Sequence, residues 1–301
     1  MKVVILAGGL GSRLQEETTV RPKPMVEIGG KPLLWHLLKH YSHHGFNEFN
    51  IALGYLGDYI KQYFLNCFNL SGRLRIDFAR RQVSRVNEEF ENWVVNLVET
   101  GKDTNTGGRV KRMADELRHG TFMLTYGDGL SNVDLHQLLD WHRRNGKIVT
   151  LTAVRPPARF GGLLLEGEQV ARFTEKPAGG ECWINGGFMV CEPELLDYLP
   201  GDACSLESHV LERLALEGKL AVHRHDGFWQ CMDTLRDKRY LEKLWEDGDA
   251  PWQTWLDDMP STLPIDTGLP MEARSEATAD DDQTTAAPQV IAARLRVPRR
   301  A

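Results

Sequence analysis

The run KVVILA at residues 2–7 is followed without a break by GGLGSR at residues 8–13. The uninterrupted apolar stretch from Val3 to Ala7 is typical of a strand that is buried on both faces of a parallel sheet. The glycines that follow allow the backbone to turn and to bring its amides close to an oxyanion such as phosphate. This stretch therefore predicts a central strand at residues 2–7 that ends in an anion-binding loop.

Apolar strand-like runs alternate with helical patterns from this first strand as far as residue 154. Extended segments are predicted at 50–53, 74–78, 93–98, 121–125 and 148–154. Helices are predicted between them at 33–41, 57–68, 110–117 and 135–141. This alternation favours an α/β fold with a mainly parallel sheet. From Gly161 onward, short glycine-bearing segments indicate a small β-rich antiparallel addition, followed by helices at 208–217 and 234–245.

Composition limits the classes of partner. The 301 residues carry 36 Lys and Arg against 42 Asp and Glu, a net charge of −6, so the broad positive field of a general nucleic-acid binder is missing. No stretch approaches the roughly 20 apolar residues that span a bilayer, so no membrane association is expected. The five cysteines form no C-x-x-C pair and no leader pattern opens the chain. We therefore expect a cytoplasmic protein.

The last part of the chain differs from the rest. No aromatic residue follows Trp255, and five of the 14 prolines lie beyond it. Without aromatic or periodic apolar residues this part has little to bury on folding. We predict one domain at residues 1–255 and a disordered tail at residues 256–301.

The glycine loop fits neither of two common phosphate motifs. A dinucleotide fingerprint beginning at Gly9 requires glycine at the position of Leu14, and no Gly-Lys-Ser/Thr follows for a P-loop. Two cations nevertheless accompany the loop: Arg13 within it, and Lys23, whose backbone is stiffened by a proline on each side. These features predict a phosphate site with its own positive charges. The alternative interpretation is a rigid turn with solvated cations.

Two aspartates are candidate metal ligands. Asp128 lies in YGDG at the end of an apolar strand, where ligands collect in open α/β sheets. Mg²⁺ commonly binds one or two carboxylates together with phosphate oxygens, and Asp233 is the candidate second ligand. The alternative for Asp128 is an ordinary turn role. Asp233 is equally explained as the N-cap of the helix that follows it, a role compatible with binding a metal.

Two further groups of motifs add polar side chains to turns. The segment DTNTGGR at 103–109 precedes a predicted helix, so its amides and Arg109 are placed to meet a phosphate or a base. EKP at 175–177 and NGGF at 185–188 lie in the β-rich part. Each segment is equally well explained as a surface loop when it is taken alone.

The order of these motifs in one chain indicates a family more specifically than any single motif does. GGxGxRL, RPKP, GD, EKP, NGG and a late Asp follow one another, and in this the chain resembles the sugar-phosphate nucleotidylyltransferases. The segment DTNTGGRVKR together with YGDGL makes it similar to the glucose-1-phosphate cytidylyltransferase branch of that family. The resemblance covers roughly residues 1–255. It implies a Rossmann-like, doubly wound nucleotidyltransferase sheet in a single domain.

The resemblance also implies roles for individual residues. Asp128 and Asp233 match the positions that bind Mg²⁺, and Lys176 and Asn185 match positions that bind the sugar phosphate. Lys23, Arg13 and Asp128 would act in catalysis. The implied nucleotide-binding set is Leu6, Ala7, Gly8, Gly9, Leu10, Gly11, Ser12, Arg13, Lys23, Thr104 and Arg109.

The implied reaction joins CTP and glucose 1-phosphate to give CDP-glucose and pyrophosphate. In it a phosphate oxygen of the sugar attacks the α-phosphorus in line, so no enzyme nucleophile is required. Three alternatives stay open at this point: a UTP- or dTTP-dependent enzyme, a catalytically silent nucleotide-sugar sensor, and a nicotinamide-dependent oxidoreductase. A homo-oligomer is the expected assembly.

Overall fold

Strands and helices alternate along the computed structural model, which describes residues 1–70, 73–86, 91–156, 162–166, 169–174 and 182–256. Its strands are β1 (Lys2–Leu6), β2 (Glu27–Ile28), β3 (Lys31–Pro32), β4 (Glu48–Leu53), β5 (Arg73–Asp77), β6 (Gln82–Val86), β7 (Val94–Glu99), β8 (Phe122–Tyr126), β9 (Gly129–Ser131), β10 (Val149–Val154), β11 (Gly162–Glu166), β12 (Gln169–Thr174), β13 (Ile184–Cys191), β14 (Leu220–His225) and β15 (Trp229–Cys231). Its α-helices are α1 (Gln15–Thr18), α2 (Leu33–His43), α3 (Gly57–Leu70), α4 (Thr106–Lys111), α5 (Ala114–Leu117), α6 (Leu135–Asn145), α7 (Glu212–Leu216) and α8 (Leu235–Glu246). Short 3₁₀ turns cover Ser12–Leu14, Lys23–Met25, Pro193–Tyr198 and Thr254–Leu256, and a π-helical turn covers Leu206–Leu211.

A seven-stranded sheet in the order β14-β10-β13-β8-β1-β4-β7 forms the centre of the fold. Its pairs are parallel, except that β13 runs antiparallel to both of its neighbours, β8 and β10. The predicted mainly parallel sheet is confirmed. β1 ends at Leu6, one residue before the predicted limit, and β4 begins at Glu48, two residues before the predicted limit.

Both faces of the sheet are covered. Val3 and Ile5 of β1 pack with α2 and α6 on one side, whereas Val4 and Leu6 pack with α4, α5 and the Pro193–Tyr198 turn on the other. Side chains that alternate along a strand point to opposite faces, so a run without polar residues requires helices on both sides. The doubly wound arrangement is therefore confirmed. The expected antiparallel addition is present as the hairpin of β11 and β12.

The predicted helix at 110–117 is wrong in its limits. Two short helices replace it, and the first begins four residues earlier, at Thr106. The two glycines of α4 allow this start because its backbone lies directly against residues 202–204: a Cβ on Gly108 would lie 2.5 Å from the carbonyl oxygen of Asp202. Tertiary packing has overridden the low helical propensity of glycine.

The N-cap role considered for Asp233 is also wrong. Thr234 caps α8 instead, because its side chain and that of Asp237 form a reciprocal capping box. This leaves the Asp233 carboxylate available for other partners. The predicted helix at 208–217 begins earlier, as the π-helical turn that leads into α7.

Within the described chain, no helix combines the length and the apolar composition that a membrane crossing requires. Nearly all of the predicted tail, residues 257–301, lies outside the described residues, so its boundary stays a prediction.

Candidate active site

A cleft of about 330 Å³ opens at the carboxyl ends of β1 and β8. This volume is within the range of small-molecule sites, and the position is the one at which open α/β sheets bind ligands. Its walls bring together most of the predicted nucleotide-binding residues with several that were not predicted. They are Leu6, Ala7, Gly8, Gly9, Gly11, Ser12, Arg13, Lys23, Pro24, Thr104, Asn105, Thr106, Arg109, Tyr126, Gly127 and Asp128.

The glycine loop forms one wall of this cleft. Gly11 adopts a left-handed conformation with φ of 63°, which few other residues adopt without strain. The turn is closed by the Leu14 N–H, which donates to the Gly11 carbonyl at 3.0 Å, and by the Thr18 hydroxyl, which donates to the same oxygen. The predicted Leu10 has its side chain 57% exposed. Local geometry therefore fixes the loop as an open cradle.

Arg109 reaches the loop from α4 and is 4% exposed. Its Nη1 donates to the carbonyls of Leu53 and Gly101 and to the Thr100 hydroxyl, at 2.7–3.0 Å. Its Nη2 donates to the carbonyl of Gly8 at 3.0 Å and to that of Lys102 at 3.4 Å. The guanidinium thus ties the glycine loop to the segment after β7.

This close approach also explains the glycine at position 8. A Cβ there would lie 2.2 Å from Nη1 of Arg109, which no real structure accommodates without a shift. Arg109 was predicted to contact the nucleotide. The structure places it in the cleft wall, where it shapes the cradle through buried carbonyl contacts.

Asp128 and Asp233 meet because two short strands pair. β9 follows Asp128 and runs antiparallel to β15, with Gly129 opposite Cys231. The Met232 N–H donates to the Asp128 carbonyl at 2.9 Å and extends this pairing by one step. Two carboxylates that are far apart in the chain consequently lie at the same edge of the sheet.

Lys23 lies between these two carboxylates. Its Nζ donates to Oδ2 of Asp128 at 2.7 Å and to Oδ1 of Asp233 at 2.6 Å, and the residue is only 9% exposed. Arg13, whose side chain is 71% exposed, pairs with the other oxygen of Asp233 at 2.8 Å. The two predicted cations and the two predicted metal ligands thus form one cluster at the mouth of the cleft.

The charges in this cluster stabilise one another. Burial lowers the pKa of Lys23, but the charge of Asp128 and hydrogen bonds to both carboxylates outweigh it, so the pKa is raised. Burial raises the pKa of Asp233, but the hydrogen bond and charge of Lys23, with the charge of Arg13, hold it below its ordinary value. Lys23 is therefore a permanent cation at neutral pH, suited to neutralise phosphate and unsuited to act as a base.

The two aspartates fit a divalent cation. Their oxygens already converge on a single positive centre, the Lys23 ammonium. Among the described residues no group of three or more His, Cys, Asp or Glu is arranged for a metal. A pair of carboxylates that leaves the remaining positions to water and phosphate oxygens is the donor set that Mg²⁺ prefers.

The predicted sugar-phosphate residues differ in how they can be placed. Asn185 is the second residue of the antiparallel strand β13, near the cleft, and its amide contacts the hydroxyl of Tyr126 at 3.4 Å. Lys176 lies outside the described residues. Tyr126 and Thr106 line the cleft and were not singled out from the sequence. Tyr126 lies within the YGDG motif and Thr106 within DTNTGGR, so membership of these motifs was the available signal.

Comparison with known proteins agrees with this geometry. Residues 2–247 match the family model described as nucleotidyl transferase. The chain belongs to the nucleotidyl transferase family. The predicted resemblance to sugar-phosphate nucleotidylyltransferases is confirmed by relatives that cover the same part of the chain.

Two relatives illustrate this membership, and one solved structure shows the shared fold. A glucose-1-phosphate cytidylyltransferase of Salmonella typhi is 50% identical over 256 residues, which are 85% of this chain and 100% of the relative. A probable glucose-1-phosphate cytidylyltransferase of Bacillus subtilis is 41% identical over the same shares. The crystal structure of HddC from Yersinia pseudotuberculosis superposes with a TM-score of 0.61 at 22% identity, covering 81% of this chain and 99% of the other, and shows the shared fold.

Proposed function

We propose that this chain transfers the cytidylyl group of CTP to glucose 1-phosphate and releases pyrophosphate. The observation that carries the proposal is the cluster in which Lys23 lies between Asp128 and Asp233, at the mouth of a cleft walled by the glycine loop. The 50% identity to a glucose-1-phosphate cytidylyltransferase, over the whole length of that relative, supports the choice of substrates.

The chemistry requires little from the protein beyond position and charge. A phosphate oxygen of the sugar forms a bond to the α-phosphorus of CTP, and the bond from that phosphorus to the β-phosphate bridging oxygen breaks. The attacking oxygen is already an anion, so no base is needed, and the protonated Lys23 agrees with this. The difficulty is to bring two polyanions together, which positioning and electrostatic stabilisation overcome.

Each residue of the cluster has a task in this scheme. Lys23 and the exposed Arg13, which pair with the two aspartates in the structure, would neutralise the charge that develops on the α-phosphate and on the departing pyrophosphate. Asp128 and Asp233 would hold Mg²⁺, which supplies positive charge to the phosphates when it is bound. The amides of the glycine loop cradle the nucleotide phosphates.

Base selection depends on an acceptor for the cytosine amino group, because uracil and thymine present a carbonyl at that position. The Gly8 carbonyl already accepts from the Tyr55 N–H at 3.1 Å and from Arg109 at 3.0 Å. A carbonyl oxygen has two lone pairs, and both lone pairs of the Gly8 oxygen are occupied by these donors, so this oxygen cannot accept from the cytosine amino group. The acceptor therefore belongs to a neighbouring carbonyl of the loop or of residues 103–108.

A matrix of nucleotides against sugar 1-phosphates, with Mg²⁺ present and pyrophosphate release as the signal, tests the proposal. An unpaired buried polar group costs about 1–3 kcal/mol, so CTP should exceed UTP and dTTP by about ten- to a hundredfold in kcat/KM. Equal or faster turnover with UTP or dTTP would contradict the cytidylyl assignment. Absence of pyrophosphate release with every pair would favour the nucleotide-sugar sensor.

We also propose that the enzyme is a cytoplasmic homo-oligomer. The five cysteines form no disulfide bond, which supports a reducing compartment. Exposed apolar side chains on α3 and around the β5–β6 hairpin, among them Leu65, Phe68, Phe78 and Val83, support burial against a second copy. Light scattering of the purified chain measures the assembly directly.

A further inference from the structure

Glu207 lies behind the cleft wall, in the π-helical turn that precedes α7, and its carboxylate accepts three hydrogen bonds from hydroxyl groups. Tyr126 donates to Oε1 at 2.6 Å. Thr106 and Ser205 donate to Oε2 at 2.7 and 2.9 Å. The Glu207 carboxylate therefore fixes the positions of the three hydroxyl groups that donate to it.

Two of these donors belong to the cleft itself. Tyr126 ends β8 two residues before Asp128, and Thr106 is the first residue of α4. The Thr106 oxygen also accepts from the Leu206 N–H at 2.9 Å, so its hydroxyl is engaged in both directions. Glu207 thus connects the wall on the nucleotide side with the wall beside the predicted metal ligand.

The carboxylate remains ionised in this environment. Burial raises the pKa of Glu207, but the hydrogen bonds from Tyr126, Thr106 and Ser205, with one from its own backbone, outweigh this and lower the pKa. Burial, together with the negative charge of Glu207, raises the pKa of Tyr126. The phenol therefore keeps its proton, and that proton is directed to Glu207.

This polarity determines what Tyr126 and Asn185 can offer to a substrate. Because the phenol donates to Glu207, its oxygen acts as an acceptor, and Nδ2 of Asn185 lies 3.4 Å from it. Oδ1 of Asn185 accepts from the Gly187 N–H at 2.9 Å. Both ends of the amide are thereby assigned, and the second N–H of Nδ2 has no partner among the described residues. An N–H donor suits the oxygens of a sugar phosphate.

We propose that Glu207 is a positioning residue for the sugar 1-phosphate, which acts through the Tyr126 hydroxyl to hold the Asn185 amide with an N–H toward the substrate. This inference rests on the proposed function, since it takes the sugar phosphate as the ligand beside Asn185. It adds a residue that acts without contact to the substrate, and it assigns the donor and the acceptor in the hydrogen bonds that join Glu207, Tyr126 and Asn185.

The test compares Glu207→Gln with a matched control, Glu217→Gln. Glu217 also accepts from a tyrosine hydroxyl, that of Tyr198 at 2.6 Å, but it lies on the protein surface. We expect Glu207→Gln to raise the KM for glucose 1-phosphate about tenfold and the KM for CTP less than threefold, because Thr106 keeps its bond to the Leu206 N–H. Glu217→Gln should leave both constants unchanged. Melting temperatures of both variants separate a folding defect from a binding defect.

A second variant tests the route through the phenol. Tyr126→Phe keeps the ring and removes the hydroxyl, so the double variant Glu207→Gln/Tyr126→Phe should resemble Tyr126→Phe alone in its KM for glucose 1-phosphate. Additive effects, equal changes in both KM values, or no change in Glu207→Gln would overturn the inference. Calorimetric titration with glucose 1-phosphate gives the same comparison without turnover, so an inactive wild-type enzyme would refute the proposed function and still leave this inference testable.

Discussion

Replacement of Arg109 by alanine should both destabilise the protein and weaken binding of the nucleotide. The guanidinium makes five hydrogen bonds, but not all of its partners depend on it. The Leu53 carbonyl also accepts from the Thr100 N–H and hydroxyl, and the Gly8 carbonyl also accepts from the Tyr55 N–H. Among the described residues, the carbonyls of Gly101 and Lys102 are the acceptors that would lose their partner.

The size of the effect follows from these two orphaned acceptors. A fully buried polar group left without its partner costs about 1–3 kcal/mol. Gly101 is only half-buried and Lys102 is exposed, so water can reach both carbonyls and lowers this cost. We therefore expect a loss of about 1–3 kcal/mol, which corresponds to about 2–12 °C in the melting temperature of a domain of this size. The freed glycine loop should raise the KM for CTP about tenfold or more.

Thermal unfolding and steady-state kinetics of Arg109→Ala measure both effects, and Arg112→Ala is the matched control. Arg112 follows three residues later, at the end of α4, and pairs with Asp202 at the surface, where such a pair contributes about 1 kcal/mol or less. Arg109→Lys retains the charge but cannot fork between Gly8 and Gly101, and should lose about half as much stability as the alanine variant. A melting temperature and a CTP KM equal to wild type in Arg109→Ala would refute the tether.

The cluster at the mouth of the cleft leads to two further predictions. Lys23→Ala should lower kcat by about 10²-fold or more at saturating substrates, the scale found when one donor to transition-state charge is removed; a fall in affinity alone would assign Lys23 to ground-state binding. Asp128→Asn and Asp233→Asn should each keep the fold, because Lys23 retains one carboxylate partner, and each should lose most of the Mg²⁺-dependent turnover. Wild-type rates over a Mg²⁺ titration in either variant would remove that residue from the metal site.

The strands were predictable from local pattern because burial on both faces leaves an unmistakable apolar run. β1 and β4 were located within two residues for this reason. Helix limits could not be predicted from the local sequence where tertiary contacts determine them. The start of α4 depends on a close approach to residues 202–204, which the sequence near Thr106 does not indicate.

The site itself was predictable only in part. The motifs correctly placed Lys23, Asp128 and Asp233 in one region, but their direct contact depends on the pairing of β9 with β15, which short segments do not reveal. Glu207 reads in the sequence as one more charged residue at the start of a helix. Its partner Tyr126 is 81 positions away, and such distant hydrogen bonds leave no local trace.

The reversed direction of β13 has a consequence for how this enzyme could be altered. β10 ends at Val154 and β13 begins at Ile184, and these two residues lie opposite each other in the sheet. The chain between them, residues 155–183, therefore departs from and returns to the same point on the edge that carries the cleft. An exchange of this stretch with that of a relative would leave the pairing of Val154 with Ile184 in place, so the segment that contains the predicted sugar-phosphate residue Lys176 can be varied without rebuilding the sheet.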